Sequence, residues 1–411
     1  MLKPLQVPLI AIFAALVLAA CSGDDLDVAT ETPAPTPNPF GLSSEVVANG
    51  DHPVAMTFAP DGRMFFVEKF TGVIRVISAD GKLQDAPFAD LDVAEWLGLD
   101  WGVTGMAVDP AFDSNPYLYV FYTQPVNRDN EQPIAKPVLV RIRADGDTAG
   151  ATETLIDDFP ETQLDHQGFR TNGSIHFGPD GYLYLSMGDY DYGKNNGPNG
   201  GPPAQDLAEP MGKVLRVQRD GTAAPGNPFA GDLNADERVY AYGFARPSDF
   251  AFHPEAGDLF GTDATDSCEE LNVVSPGGNY GWPDVGEFPF GDCNFGSGVK
   301  AVYLLAKPNT EPGQFQSYVG TSGMAFLAGE KYPSLGNGLL LCEKETKNLR
   351  RLVISPDARQ VTGDDIAISE CTGSVVAAAD GTVYFSNGTE VRRLVQGEAT
   401  APASTSASPT P

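Results

Sequence analysis

Six times along the chain an apolar strand stops at a turn of Pro, Asp, Gly or Asn, and an aromatic or aliphatic strand returns. The units are "MTFAPDGRMFFVE" from 56, "MAVDPAFDSNPYLYVFYT" from 106, "IHFGPDGYLYLSMGD" from 175, "FAFHPEAGDLFGTD" from 250, "YPSLGNGLLLCE" from 332 and "VAAADGTVYFSNG" from 376. This is hairpin chemistry, because those turn residues accept the reversed backbone that the flanking strands cannot. The turn positions Asp61, Asp109, Asp180, Glu255, Asn337 and Asp380 fall 48, 71, 75, 82 and 43 residues apart, enough for four short strands plus variable loops. Unequal spacing argues against a solenoid. Radial closure leaves few exposed sheet edges, so the repeat predicts an all-β, six-bladed β-propeller over residues 42–395, with a pair of β-sandwiches as the alternative. Loops between blades converge on the mouth of a central channel, and chemistry is expected there.

The 411 residues, 42% of them apolar, suffice for one large domain or two ordinary ones. After the first twenty positions no long stretch keeps apolar residues at helical spacing. The formal charge is −29, from 55 acidic and 26 basic residues. No basic cluster is present to neutralise phosphates, which argues against a nucleic-acid partner. The acidity suits a soluble surface outside the cytoplasm, with some carboxylates available to divalent cations.

The opening "MLKPLQVPLIAIFAALVLAAC" places Lys3 before an apolar run and small residues before Cys21, the pattern of an export signal over 1–20. Leu18-Ala19-Ala20-Cys21 resembles a bacterial lipobox, which implies a lipidated Cys21 and a cell-envelope protein tethered to a membrane by acyl chains. Residues 21–41 and 396–411, rich in Pro, Ser, Thr and acids, read as a flexible tether and a disordered tail. Four cysteines remain in a compartment that permits disulfides, and four allow three pairings. Spacing favours Cys268 with Cys293 across one loop, and Cys342 with Cys371 between neighbouring strands.

The segments "HFGPDGYLYLSMGD", "AQDLAEPMGKVLRVQRDGT", "GNPF", "YAYGFARPSDFAFHPEAGDLF" and "EELNVVSPGGNYGWP" stand in the order found in the glucose/sorbosone dehydrogenase family, and the likeness runs from about 42 to 395. The chain resembles the soluble pyrroloquinoline quinone (PQQ) dependent aldose dehydrogenases of that family. The resemblance implies a six-bladed propeller that oxidises the anomeric hydroxyl of a sugar to a lactone. It also implies a histidine base, calcium, and an electron acceptor outside the cytoplasm.

Residue by residue, the resemblance makes Glu270 and the Tyr280 carbonyl ligands of a structural calcium, with Glu269 at an acidic ligand position. It puts Ala264 and Thr265 where backbone carbonyls hold the calcium at the quinone. Trp282 in "GGNYGWP" is expected to pack between blades. Counting back seven from Phe177 puts Arg170 at the base position, whereas a gapped alignment through "DHQG" makes His166 the base. A guanidinium stays protonated and cannot serve as an ordinary base. His176 alternates with apolar neighbours and reads as a strand-face residue. Asp189 is expected to position a substrate hydroxyl, and Asp100 to face the channel. Ala245 replaces the family's arginine, and Arg246, one residue on, is a candidate to reach the same site, although alternation along an extended segment tends to turn it away. The arginines that clamp the quinone carboxylates align with Cys371 and Gly373, so charge-assisted partners for that anion are missing there. Two other readings share the architecture: a catalytically silent propeller binding a glycan or protein, and a lactonase-like hydrolase.

Overall fold

The computed structural model describes residues 39–96, 100–128, 131–163, 169–171, 173–193, 195, 197–265, 268–284, 293, 298–312, 317–327 and 330–397. The export signal, Cys21, His166 and the tail from 398 lie outside the described residues.

Six antiparallel sheets follow one another along the chain. Blade 1 comprises Pro53–Phe58, Met64–Glu68, Val73–Ile77 and Ala89–Asp90. Blade 2 comprises Val103–Val108, Tyr117–Asn127 and Ile134–Asp145, with Thr148–Ile156 and Thr162–Gln163 both paired to the last of these. Blade 3 runs through Ile175–Phe177, Leu183–Met187, Lys213–Val217 and Val239–Tyr242. Blade 4 runs through Pro247–Phe252, Leu259–Ala264, Glu269–Val274 and Tyr303–Leu305. Blade 5 holds Thr321–Leu327, Gly338–Glu343, Asn348–Ile354 and Val361–Ser369. Blade 6 takes Val375–Ala377, Val383–Ser386 and Glu390–Gln396 from the end of the chain, and Leu42–Asn49 from its start as the outermost strand. Pairing of the two chain ends closes the ring. The first strand of each blade touches the first strand of the next, and that of blade 6 touches that of blade 1.

Five of the six repeats read from the sequence are the first hairpin of a blade, whereas the unit from 332 holds only the loop and second strand of blade 5; the turns show why the motif recurs. Asp61, Asp109, Asp180 and Asp380 each accept, through Oδ1, the backbone N–H two residues on, at 2.8 to 3.2 Å. That bond closes the turn locally. Gly62, Gly181 and Gly381 follow with φ of 89°, 79° and 80°, a region that side chains with a Cβ avoid. At Glu255 the device differs: His253 Nδ1 accepts the N–H groups of Glu255 and Ala256.

Strand alternation gives every blade two apolar faces, and these meet as six clusters, one per neighbouring pair. Phe65 and Val76 of blade 1 pack on Leu118 and Val140 of blade 2, and Ala48 and Val391 of blade 6 meet Met56 and Phe66 of blade 1. Both disulfides are formed as the spacing favoured, Cys268–Cys293 and Cys342–Cys371.

Candidate functional site

The six first strands enclose an axial cavity of about 790 Å³, large enough for a cofactor-sized ligand. They all start at one mouth, so the segments just before them and the ends of the second strands surround it. Pro53 pairs with Glu68 and Thr321 with Glu343, which brings Lys69 and Lys344, each one residue further, to that mouth. Asp100 and Arg246, each just before a first strand, also line the cavity.

Asp100 and Arg246 meet there, with Arg246 Nη2 3.6 Å from Asp100 Oδ2. Asp100 faces the cavity as expected. Arg246, a site candidate that strand alternation alone would tend to turn away, lines it as well. The cause is the buried Asp263 carboxylate, which accepts the backbone N–H groups of Ala245 and Arg246 and sets the turn that presents the guanidinium. Burial raises the Asp263 carboxyl to about 7, against those two N–H donors.

Arg170 and Asp189 do not reach the cavity. The Arg170 guanidinium lies behind its wall, 3.7 Å from Asp189 and 3.3 Å from Asp191, over the Trp282 ring at 5.2 Å. Its backbone, at φ 52°, donates to Asp100 Oδ2 at 2.8 Å. Asp189 is fully buried, and both its oxygens are used. Oδ1 accepts from Asp191 N, and Oδ2 accepts from Gly193 N and from Trp282 Nε1 at 2.6 Å. Burial pushes its carboxyl up while Arg170 and Trp282 oppose the shift. Trp282 thus ties the loop between the third and fourth strands of blade 4 to the loop inside blade 3. Its packing role is electrostatic as well as apolar.

Deeper in the channel His176 Nε2 lies 2.8 Å from Asp249 Oδ1 and 3.1 Å from Ser174 Oγ. Expected only as a strand-face residue, His176 does line the cavity. Both contacts use the same ring nitrogen, whereas a nucleophilic relay needs one partner on each. The group carries no hydrolase arrangement.

The last-blade positions bring no charge to the cavity. Cys371 is fully buried in its disulfide, and a Cβ on Gly373 would stand 2.4 Å from Ser386 Oγ and 2.7 Å from the Pro53 carbonyl. Positive charge comes instead from Lys69, Arg246 and Lys344, in a chain of formal charge −29. Burial pushes the Lys69 ammonium down to about 8, with Asp100 opposing and Lys344 adding to the shift.

Glu269 and Glu270 point to opposite faces of their strand. Glu269 accepts three backbone N–H groups, from Val319, Gly320 and Thr321 at 2.8 to 2.9 Å. That commits both its oxygens to joining blades 4 and 5. Glu270 sits opposite Asp263, and burial together with that neighbour raises its carboxyl to about 8. It accepts one long bond from Asn272 Nδ2, while buried Asn272 Oδ1 has no partner among the described residues. Spare buried oxygens of this kind suit a hard cation. Among the described residues no group of three or more His, Cys, Asp or Glu is arranged around a metal position. Tyr280 is held by its own contacts: its hydroxyl donates to Val273 O at 2.6 Å, and its ring stacks on Phe244 at 4.5 Å. Ala264 lines the cavity, and Thr265 closes a tight turn onto Cys268 O.

Sequence reasoning missed Lys69, Lys344 and Asp263. The repeat itself held a signal for the lysines: "VEK" in blade 1 and "CEK" in blade 5 occupy equivalent places at the end of a second strand.

The family model described as Glucose / Sorbosone dehydrogenase matches residues 50–396. Quinoprotein glucose dehydrogenase B of Acinetobacter calcoaceticus is 28% identical over 257 residues, covering 58% of this chain and 52% of that protein, about half its length. Aldose sugar dehydrogenase YliI of Escherichia coli is 25% identical over 318 residues, 76% of this chain and 80% of that one. Among solved structures, an oxidoreductase of Thermus thermophilus described as a glucose dehydrogenase superposes with a TM-score of 0.69 at 29% identity. It covers 86% of this chain and 100% of that one.

Proposed function

Because the chain belongs to the glucose/sorbosone dehydrogenase family, we propose that it oxidises the anomeric hydroxyl of an aldose to the lactone, with PQQ as cofactor. One observation carries this reading: an axial cavity of about 790 Å³ with three cations at its mouth, in an otherwise strongly acidic chain. An anionic planar cofactor fits that charge and volume. When bound, the quinone supplies a two-electron acceptor for hydride. Lys69, Lys344 and Arg246 hold its negative charge, and Asp100 accepts a hydrogen bond from a sugar hydroxyl, oriented by its contact with Arg246. The proton of the anomeric hydroxyl passes to an imidazole nitrogen of His166, since the Arg170 guanidinium is engaged by Asp189 and Asp191 and has no basic lone pair. Glu270, Asn272 Oδ1 and the Tyr280 carbonyl supply oxygens for a structural calcium, and the carbonyls of Ala264 and Thr265 supply them at the quinone. Acylation of Cys21 tethers the propeller in the cell envelope, where an acceptor outside the cytoplasm takes the electrons.

A second reading, a silent propeller that binds a glycan or protein at the same mouth, is favoured by the locked Arg170 and the uncharged Cys371 and Gly373. Reconstituting the protein with PQQ and calcium and following quinone absorbance as aldoses are added separates the two. Uptake and bleaching are expected, and no uptake with no reduction leaves the silent propeller. In the reconstituted protein, His166→Ala is expected to lower kcat by roughly 10²-fold or more, the usual contribution of a general base.

A further inference from the structure

We propose that Lys69 and Lys344 form a carboxylate-binding clamp across blade 6. They replace charge that the last blade no longer supplies. The placement carries this. The two lysines occupy equivalent positions, one residue beyond the end of the second strand, in blades 1 and 5. In the ring those blades flank blade 6, whose positions for a charged clamp are a disulfide cysteine and a glycine with no room for a side chain.

The environment fits an anion between them. Both lysines line the one cavity, where Lys344 disfavours the charged form of Lys69, and neither ammonium has a hydrogen-bond partner among the described residues. Lys69 is only partly exposed, beside the Phe70 ring at 5.7 Å. Like charges gathered in a partly enclosed cavity repel unless an anion is shared between them. Asp100 offers one negative charge but also accepts from Arg170 N and faces Arg246, and Glu345 lies 3.7 Å from Lys307. The other polar residues lining the cavity near them include His52 from blade 1 and Thr372 and Asn387 from blade 6, and among the described residues Asp100, Asp249 and Glu345 are its only carboxylates.

A carboxylate here has two sources: the acid groups of the quinone, or a carboxylate on the sugar, as in a uronic acid. The first rests on the proposed function and the second does not. Binding of PQQ, glucuronate and glucose to the full chain, without turnover, is measured by titration calorimetry for the wild type, Lys69→Gln, Lys344→Gln and Lys69→Arg. Thermal unfolding confirms that each variant is folded.

Each Gln variant is expected to weaken the carboxylate ligand about tenfold, the loss of one charge-assisted hydrogen bond, with Lys69→Arg staying within about threefold of wild type. Glucose binding should not change. Wild-type affinity should also fall as the pH passes about 8, where Lys69 loses its charge, and Lys69→Arg should remove that fall. If PQQ responds, the clamp holds the cofactor. If only glucuronate responds, the clamp stands and the quinone reading fails. If the wild type binds neither, or the Gln variants bind as the wild type does, the clamp is overturned.

Discussion

The Arg170 guanidinium stands at a position where an ungapped alignment asks for a base, yet its surroundings are those of a structural cation. Its side chain is only 8% exposed, between two carboxylates and an indole face. Removing one member of a buried pair strands the other charge, which costs about 3 to 5 kcal/mol. Arg170→Met and Asp189→Ala are therefore each expected to lower the unfolding free energy by about 3 kcal/mol in urea titrations. The double variant should recover part of that loss, because the only carboxylate left without its cation is Asp191, which is 31% exposed. A catalytic role for either side chain would show instead as lost turnover at unchanged stability.

Within blade 3 a single lysine holds an irregular element in place. Lys213, fully buried at the start of its strand, donates to the carbonyls of Pro203, Ala204 and Met211 at 2.7 to 3.1 Å, and so fixes the 3-10 turn Pro203–Gln205. Lys213→Met removes all three bonds and leaves the Met211 carbonyl without a donor, at about 1 to 3 kcal/mol, while the Pro203 and Ala204 carbonyls keep the N–H groups of Asp206 and Gly243. A drop of about 1 to 3 kcal/mol is expected in denaturant unfolding at pH 7. Burial also pushes the Lys213 ammonium down to about 7. Between that value and its ordinary value of 10.5 the unfolded chain binds the extra proton, so this group makes the fold more stable as pH rises through that window. Unfolding midpoints of the wild type should rise from pH 7 toward pH 10, and this contribution should be missing in Lys213→Met.

At the scale of the whole ring, stability rests on six blade interfaces, one of which depends on strand Leu42–Asn49 closing blade 6 against Glu390–Gln396. A chain starting at residue 50 loses that pairing and exposes a long sheet edge that includes Arg392 and Val395. Its expected behaviour is a broadened thermal transition well below that of the intact chain, with concentration-dependent association in analytical ultracentrifugation. Unchanged cooperativity would mean that the closing strand adds little to the ring.

The hairpins, their number and the all-β class were legible because turn chemistry is local: an aspartate that caps the N–H two residues on, followed by a glycine at positive φ, reads the same in any fold. The six-blade count followed from those turns, and both disulfides from loop spacing. The cavity's chemistry was not legible, since it depends on which side chains from different blades meet at one mouth. Arg246 reaches the cavity because Asp263, on another strand, sets its turn, and Asp189 fails to reach it because Trp282, 93 residues on, takes its oxygen. Lys69 and Lys344 come to line one cavity only once the ring is closed. Local backbone preference therefore decided the elements, whereas closure of the ring decided where charge is buried, paired or left facing the channel.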